Sequence, residues 1–130
     1  TVSYDGKIPP FNDVESGTWP FPYVRDAYFS GIVLGDENGS FGTGRYIKRE
    51  DIAVMLKRYC FPNTSAAEEI PFDDESDISE YAKESVSVLK SKGIMKGTET
   101  NRFNPQAYAT RAETAVLINR ITELSLSGGI

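Results

Sequence analysis

Phe103-Asn104-Pro105-Gln106-Ala107-Tyr108-Ala109-Thr110-Arg111-Ala112-Glu113 has a counterpart 62 positions earlier, Phe41-Gly42-Thr43-Gly44-Arg45-Tyr46-Ile47-Lys48-Arg49-Glu50-Asp51. The register holds without a gap from Phe41 to Tyr59 against Phe103 to Ile121, pairing Arg49 with Arg111, Ala53 with Ala115 and Arg58 with Arg120. Working outward, Gly31-Ile32-Val33-Leu34-Gly35 falls on Gly93-Ile94-Met95-Lys96-Gly97, and Trp19 on Tyr81. After a slip of one residue, Phe11-Asn12-Asp13 matches Phe72-Asp73-Asp74. The chain is a tandem of one supersecondary unit, which governs any reading of its fold.

The order of landmarks is Phe-x-Asp, an aromatic opening a helix, Gly-Ile-x-x-Gly, a Phe-containing loop, and Thr-Arg-Ala-Glu opening a second helix. This order resembles the S-layer homology (SLH) family. Phe72-Asp73-Asp74, Tyr81-Ala82, Gly93 to Gly97, Phe103-Asn104-Pro105 and Thr110-Arg111-Ala112-Glu113 carry the closer match. The resemblance covers roughly residues 11 to 123. It implies an all-α fold, with tandem helix-loop-helix repeats packed as part of a pseudo-threefold spindle and ligand grooves between neighbouring repeats. Such domains commonly hold three repeats. Here there are two, so the third lobe is supplied by a homo-oligomer, by a further SLH repeat outside this sequence, or by nothing.

Composition narrows the function. With 130 residues, 39% hydrophobic and 25% charged, the chain has ordinary globular composition. A net charge of −5 and the absence of histidine remove the basic stripe that nucleic acid needs and the imidazole of a Ser-His or Cys-His pair. No nucleic-acid partner, catalytic residue, metal site or cofactor is expected. The lone Cys60 has no disulfide partner and reads as a small apolar residue closing a helix. No apolar run approaches the roughly 18 residues of a membrane span. The chain opens without a charged-then-apolar signal segment, as a processed or partial secreted protein would.

The pattern divides into an extended lead-in (1–10), a first repeat (11–60), a connector (61–71), a second repeat (72–124) and a tail (125–130). A first helix starts at Trp19-Pro20, where proline costs nothing in the opening turn. Gly31 then supplies a left-handed C-terminal residue. A second helix spans about Lys48 to Tyr59 and buries Ile52, Met55, Leu56 and Tyr59. A third spans about Ile78 to Lys92 and buries Tyr81, Ala82, Val86 and Leu89. The fourth runs from Arg111 to about Leu124. No strand is expected. Each pair is too small to bury its own apolar face, so neighbouring pairs must pack together.

Thr110 and Glu113 have the spacing of a capping box, which leaves Arg111 unexplained. A cation in the first helical turn opposes the helix dipole, yet both repeats place arginine there. A helix N-terminus beside a guanidinium is a pocket for a carboxylate; the competing reading is an internal salt bridge, for Arg49 to Glu50 or Asp51. The SLH resemblance makes Arg111 and Arg49 contacts to secondary cell wall polysaccharide, in particular to its pyruvate ketal carboxylate. Trp19 and Tyr81 read as sugar-facing rings or core anchors. Asp13 and Asp74 read as backbone caps or acceptors of sugar hydroxyls. Gly35 and Gly97 read as openings for a saccharide or as positive-φ turns.

The expected function is a non-catalytic module at the bacterial cell surface that binds acidic, pyruvylated wall polysaccharide without entering the membrane. The alternative is a self-assembly or protein-binding module on the same fold. Asp36-Glu37-Asn38-Gly39 fails as a calcium loop, because Leu34 and Arg45 fall where carboxylates are required.

Overall fold

The computed structural model describes residues 3–36, 38–66 and 72–129, with Arg111 described in its backbone only. Four α-helices form: α1 (Phe21–Phe29), α2 (Arg49–Cys60), α3 (Lys83–Ser91) and α4 (Arg111–Leu126). Among the described residues there is no strand, only an isolated antiparallel bridge between Lys48 and Tyr108. The all-α expectation holds. Among the described residues no helix is long and apolar enough to cross a membrane.

The chain forms two compact units, Thr1–Arg45 and Tyr46–Ile130. The first holds α1 over a small core of Phe11, Val14 and Val24, against which Phe21, Tyr28 and Phe41 pack. In the second, α2 packs on α3, so the second helix of repeat 1 finds its partner in repeat 2. The core there centres on Ala53, Val86, Leu89, Ile94 and Phe103.

The repeated sequence builds the same knot inside each unit. Phe11 lies against Gly35 and Phe72 against Gly97, both glycines having positive φ, 79° and 82°. A Cβ would lie 2.2 Å from the Phe11 ring at Gly35 and 2.4 Å from the Phe72 ring at Gly97. Both the turn and the close approach therefore require glycine. Asp13 accepts hydrogen bonds from the Phe41, Gly42 and Thr43 N–H groups and from the Ser40 hydroxyl. Asp74 accepts from the Phe103 and Asn104 N–H groups at 2.9 and 2.8 Å. These bonds tie the opening Phe-x-Asp to the loop about 30 residues on. Aiming that N–H at Asp74 puts Asn104 at φ 57°, a conformation asparagine tolerates, where repeat 1 has Gly42 at φ 99°.

Three local expectations change. The third helix is broken: 3-10 turns at Glu75–Asp77 and Glu80–Ala82 precede α3. Between them Ser79 is extended, because its N–H and hydroxyl both donate to the Glu50 carboxylate, at 2.9 and 2.7 Å. The buried face of α2 is also rotated from the expected one. Ala53, Val54 and Cys60 are buried, Ile52, Met55 and Leu56 only partly, and Tyr59 is exposed. Tyr81 is exposed as well, whereas Ala82, Val86 and Leu89 are buried as read from the sequence. Cys60 closes α2 inside the core, and burial pushes its thiol pKa up.

Two outcomes follow for stability. Gly97→Ala forces a side chain into the Phe72 ring at positive φ and should cost roughly 2 to 4 kcal/mol in urea unfolding. Burial alone would raise the Asp74 carboxyl, but the Phe103 and Asn104 N–H donors outweigh it and hold it below the ordinary carboxylate range. A pKa depressed by folding contributes stability above the unfolded value of about 4, and this is lost as pH falls through the folded value. Thermal melts should therefore drop on the acid side of about pH 4, and Asp74→Asn should flatten that limb while lowering stability near neutrality.

Candidate functional site

The site grows from the way α2 begins. Lys48 is its N-cap in extended conformation and gives no side-chain cap, as the missing threonine implies. The loop of repeat 2 supplies the acceptors instead. The Arg49 N–H donates to the Ala107 carbonyl at 2.9 Å, and the Glu50 N–H to the Pro105 carbonyl at 3.2 Å. The Ala109 N–H returns to the Ile47 carbonyl, completing a short antiparallel ribbon. Orphan helix donors are thereby satisfied without a capping side chain.

Glu50 is 1% exposed. Besides Ser79, it accepts from the Gln106 amide and the Tyr81 hydroxyl. Burial opposes its ionisation, but these donors together hold its pKa below the usual value. Tyr81 also donates to Asp51 at 2.6 Å, and although its ring is exposed, the loss of water around the hydroxyl and the two acids beside it push its phenol up. The competing reading, a pairing of Arg49 with Glu50 or Asp51, does not occur, because both acids face Tyr81.

Arg49 turns the other way. Its Nε donates to the Phe103 carbonyl at 2.8 Å, its guanidinium lies 5.1 Å from the centre of the Phe103 ring, and Nη1 pairs with Glu113. Thr110 caps α4 by accepting from the Glu113 N–H at 3.1 Å. The Glu113 carboxylate, however, serves Arg49 and leaves its half of the capping box unmade. An internal salt bridge is present, and it joins Lys48-Arg49-Glu50-Asp51 of repeat 1 to the register-equivalent Thr110-Arg111-Ala112-Glu113 of repeat 2.

Beside this pair opens a cavity of about 400 Å³. Arg49, Lys96, Arg120 and Glu113 carry its charge; Gly97, Thr98 and Asn104 border it; Ala112, Val116 and Leu117 supply an apolar wall. Arg120 donates to the Ile94 carbonyl at 2.8 Å, and Lys96 is exposed with no ion-pair partner among the described residues. Three cations against one acid mark a positive locality in an acidic chain.

The expected residues divide accordingly. Arg49 and Gly97 meet at this cavity. The Arg111 side chain lies outside the described residues. Asp74 borders a separate hollow of about 310 Å³, with Asp77, Arg102, Asn104 and Gln106. Tyr81 borders neither of these two. Trp19, Asp13 and Gly35 belong to the first unit, where Trp19 is 82% exposed and so no core anchor. Two cations of the cavity were not among the expected site residues: Arg120 shares a repeat register with Arg58, so charge at a repeated position was its available signal, whereas Lys96 stands in register with Leu34 and had none. Among the described residues no cluster of carboxylate or thiol groups could hold a metal. Asp36 instead pairs with Arg45 and accepts from the Asn38 and Ser40 N–H groups.

Comparison with known proteins agrees with this architecture. The chain is 31% identical over 126 residues to the Exoglucanase XynX of Acetivibrio thermocellus, covering 95% of this chain and 11% of that protein. It is 29% identical to the Cellulosome-anchoring protein of the same species, over 87% of this chain and 26% of that protein. It is 27% identical to the Surface-layer 125 kDa protein of Lysinibacillus sphaericus, over 87% and 10%. The chain spans about a tenth of the first of these relatives. Since the S-layer homology domain is matched twice, by residues 10–53 and by residues 71–115, the chain belongs to that family.

Proposed function

We propose that this chain is a non-catalytic anchoring module of the bacterial cell surface, that it holds an acidic wall polysaccharide, and that the cavity beside Arg49 is one place of contact. The observation that carries the reading is the convergence of Arg49, Lys96 and Arg120 on an apolar-walled cavity in a chain of net charge −5. Long-range attraction to a polyanion is absent, so affinity must arise locally. A pyruvate ketal joins a carboxylate to a methyl group. Lys96 and Arg120 suit the first, and the wall of Ala112, Val116 and Leu117 suits the second.

Arg49 is half engaged already, by Glu113 and the Phe103 carbonyl, so a guest meets an oriented guanidinium rather than a floppy one. Arg111, its register equivalent, stays in the proposed contact set on the family motif, together with Trp19, Tyr81, Asp13, Asp74 and Gly35. Relatives named as surface-layer and cellulosome-anchoring proteins support the tethering role. Single sugar contacts are weak, so retention depends on several grooves acting together.

One observation favours association as a second reading. Val116 and Ile118 of α4 are exposed, whereas their register equivalents on α2, Val54 and Leu56, join the core beside α3. A first helix of another SLH repeat, from a second copy or a further repeat, would cover α4 as α3 covers α2.

Lys96→Ala removes a cation that makes no ion pair among the described residues, and should weaken binding to purified wall sacculi about tenfold or more without shifting the unfolding midpoint. Chemical removal of ketal groups should weaken the parent similarly and the variant little further. Equal binding by parent and variant would exclude the cavity. Light scattering should show a concentration-dependent dimer if a second copy covers α4, and Ile118→Glu should abolish that dimer.

A further inference from the structure

The ribbon that caps α2 displays a feature the cavity does not use. Tyr46 and Tyr108 occupy the same position in the two repeats, and the ribbon brings their rings to 5.5 Å between centres, 36° apart in plane. They are 82% and 56% exposed. A lone exposed tyrosine needs no explanation, but two rings from two repeats, meeting on a hydrogen-bonded backbone and left open to water, form a rigid apolar shelf. Neither hydroxyl has a partner among the described residues.

Side chains alternate along such a ribbon. Arg49 lines the cationic cavity, whereas Tyr46, Lys48 and Tyr108 do not, and Ala107 lies between that cavity and a second hollow. Lys48, opposite Tyr108, donates to the Gln106 side chain at 2.8 Å. Gln106 in turn borders the hollow of about 310 Å³ shared with Asp74, Asp77, Arg102 and Asn104. Two carboxylates against one guanidinium make this hollow unfavourable for an anion, whereas amide, carboxylate and guanidinium groups together suit hydroxyls.

We propose that Tyr46 and Tyr108, with the adjoining hollow, form a second carbohydrate site that takes an uncharged sugar ring. The ring's C–H face lies on the tyrosines, and the Asp77 carboxylate and Asn104 amide exchange hydrogen bonds with its hydroxyls, while Gln106, held by Glu50, the Asp77 carbonyl and Lys48, fixes the loop between them. The site rests on the reading of the chain as a wall-polysaccharide binder. It adds that one unit grips the polymer at two chemically different residues, an acidic one in the cavity and a neutral one on the shelf, so that avidity is built into a single unit. A protein partner would find a shelf only two rings wide, rimmed by polar groups.

The test compares three variants on purified sacculi: Tyr46→Ala with Tyr108→Ala, the same pair changed to Phe, and Lys96→Ala. The alanine pair should lower affinity about tenfold on intact and on ketal-stripped sacculi alike. The phenylalanine pair should bind within about twofold of the parent, and all three should unfold at the parent's midpoint. If the alanine pair binds like the parent while Lys96→Ala does not, the shelf is refuted and the cavity stands. If Lys96→Ala binds like the parent while the alanine pair does not, the shelf stands and the cavity reading fails. Loss of stability in the alanine pair matching its loss of binding would make the rings structural, and a parent that binds no sacculi would refute both sites.

Discussion

The second compact unit depends on one hold, the grip of residues 105–109 on the first turn of α2. Backbone carbonyls at Pro105 and Ala107 take the helix's opening N–H groups, a task that a threonine side chain performs at α4. Once α2 is seated, Arg49 and Glu50 must point in different directions, and each creates a local environment. Glu50 goes inward to Ser79, Tyr81 and Gln106, where an ionised carboxylate with both oxygens engaged fixes how repeat 2 begins. Arg49 goes toward Phe103 and Glu113 and becomes one edge of the cationic cavity.

This arrangement explains why the two motif copies differ. Repeat 2 keeps threonine and caps its own helix, whereas repeat 1 replaces it with Lys48, whose side chain reaches Gln106 and braces the loop that does the capping. The acid that looks like an intruder beside Arg49 is the most engaged carboxylate of the unit. Asp13 and Asp74, by contrast, do the same work in both copies, holding the Phe-containing loop against the glycine and aromatic ring that open each repeat.

Much of this was legible in the sequence, since repetition is a property of residue order. The 62-residue register gave the helices, the glycines and the paired arginines, because these follow from local periodicity and turn chemistry. What escaped were the long-range choices. Nothing local to Ser79 says that it must be extended; a carboxylate 29 residues earlier decides it. Nothing beside Arg49 names Glu113 as its partner, which lies 64 residues away in the other repeat. Tyr81 looked like a core anchor because aromatic residues usually are, yet its hydroxyl is committed to two acids and the ring stays outside. Lys96 and Arg120 were visible as charges, but only the fold brings them together.

The central claim is that these cations receive the acidic group of a wall glycan. Its most direct test is a titration of the protein with a ketal-bearing glycan fragment, followed by nuclear magnetic resonance of the Lys96 ammonium and Arg120 guanidinium groups. The account predicts saturable shifts at both groups and at the Gly97 and Thr98 amides, absent when the same fragment lacks its ketal. Saturable binding that leaves those signals unmoved would contradict it.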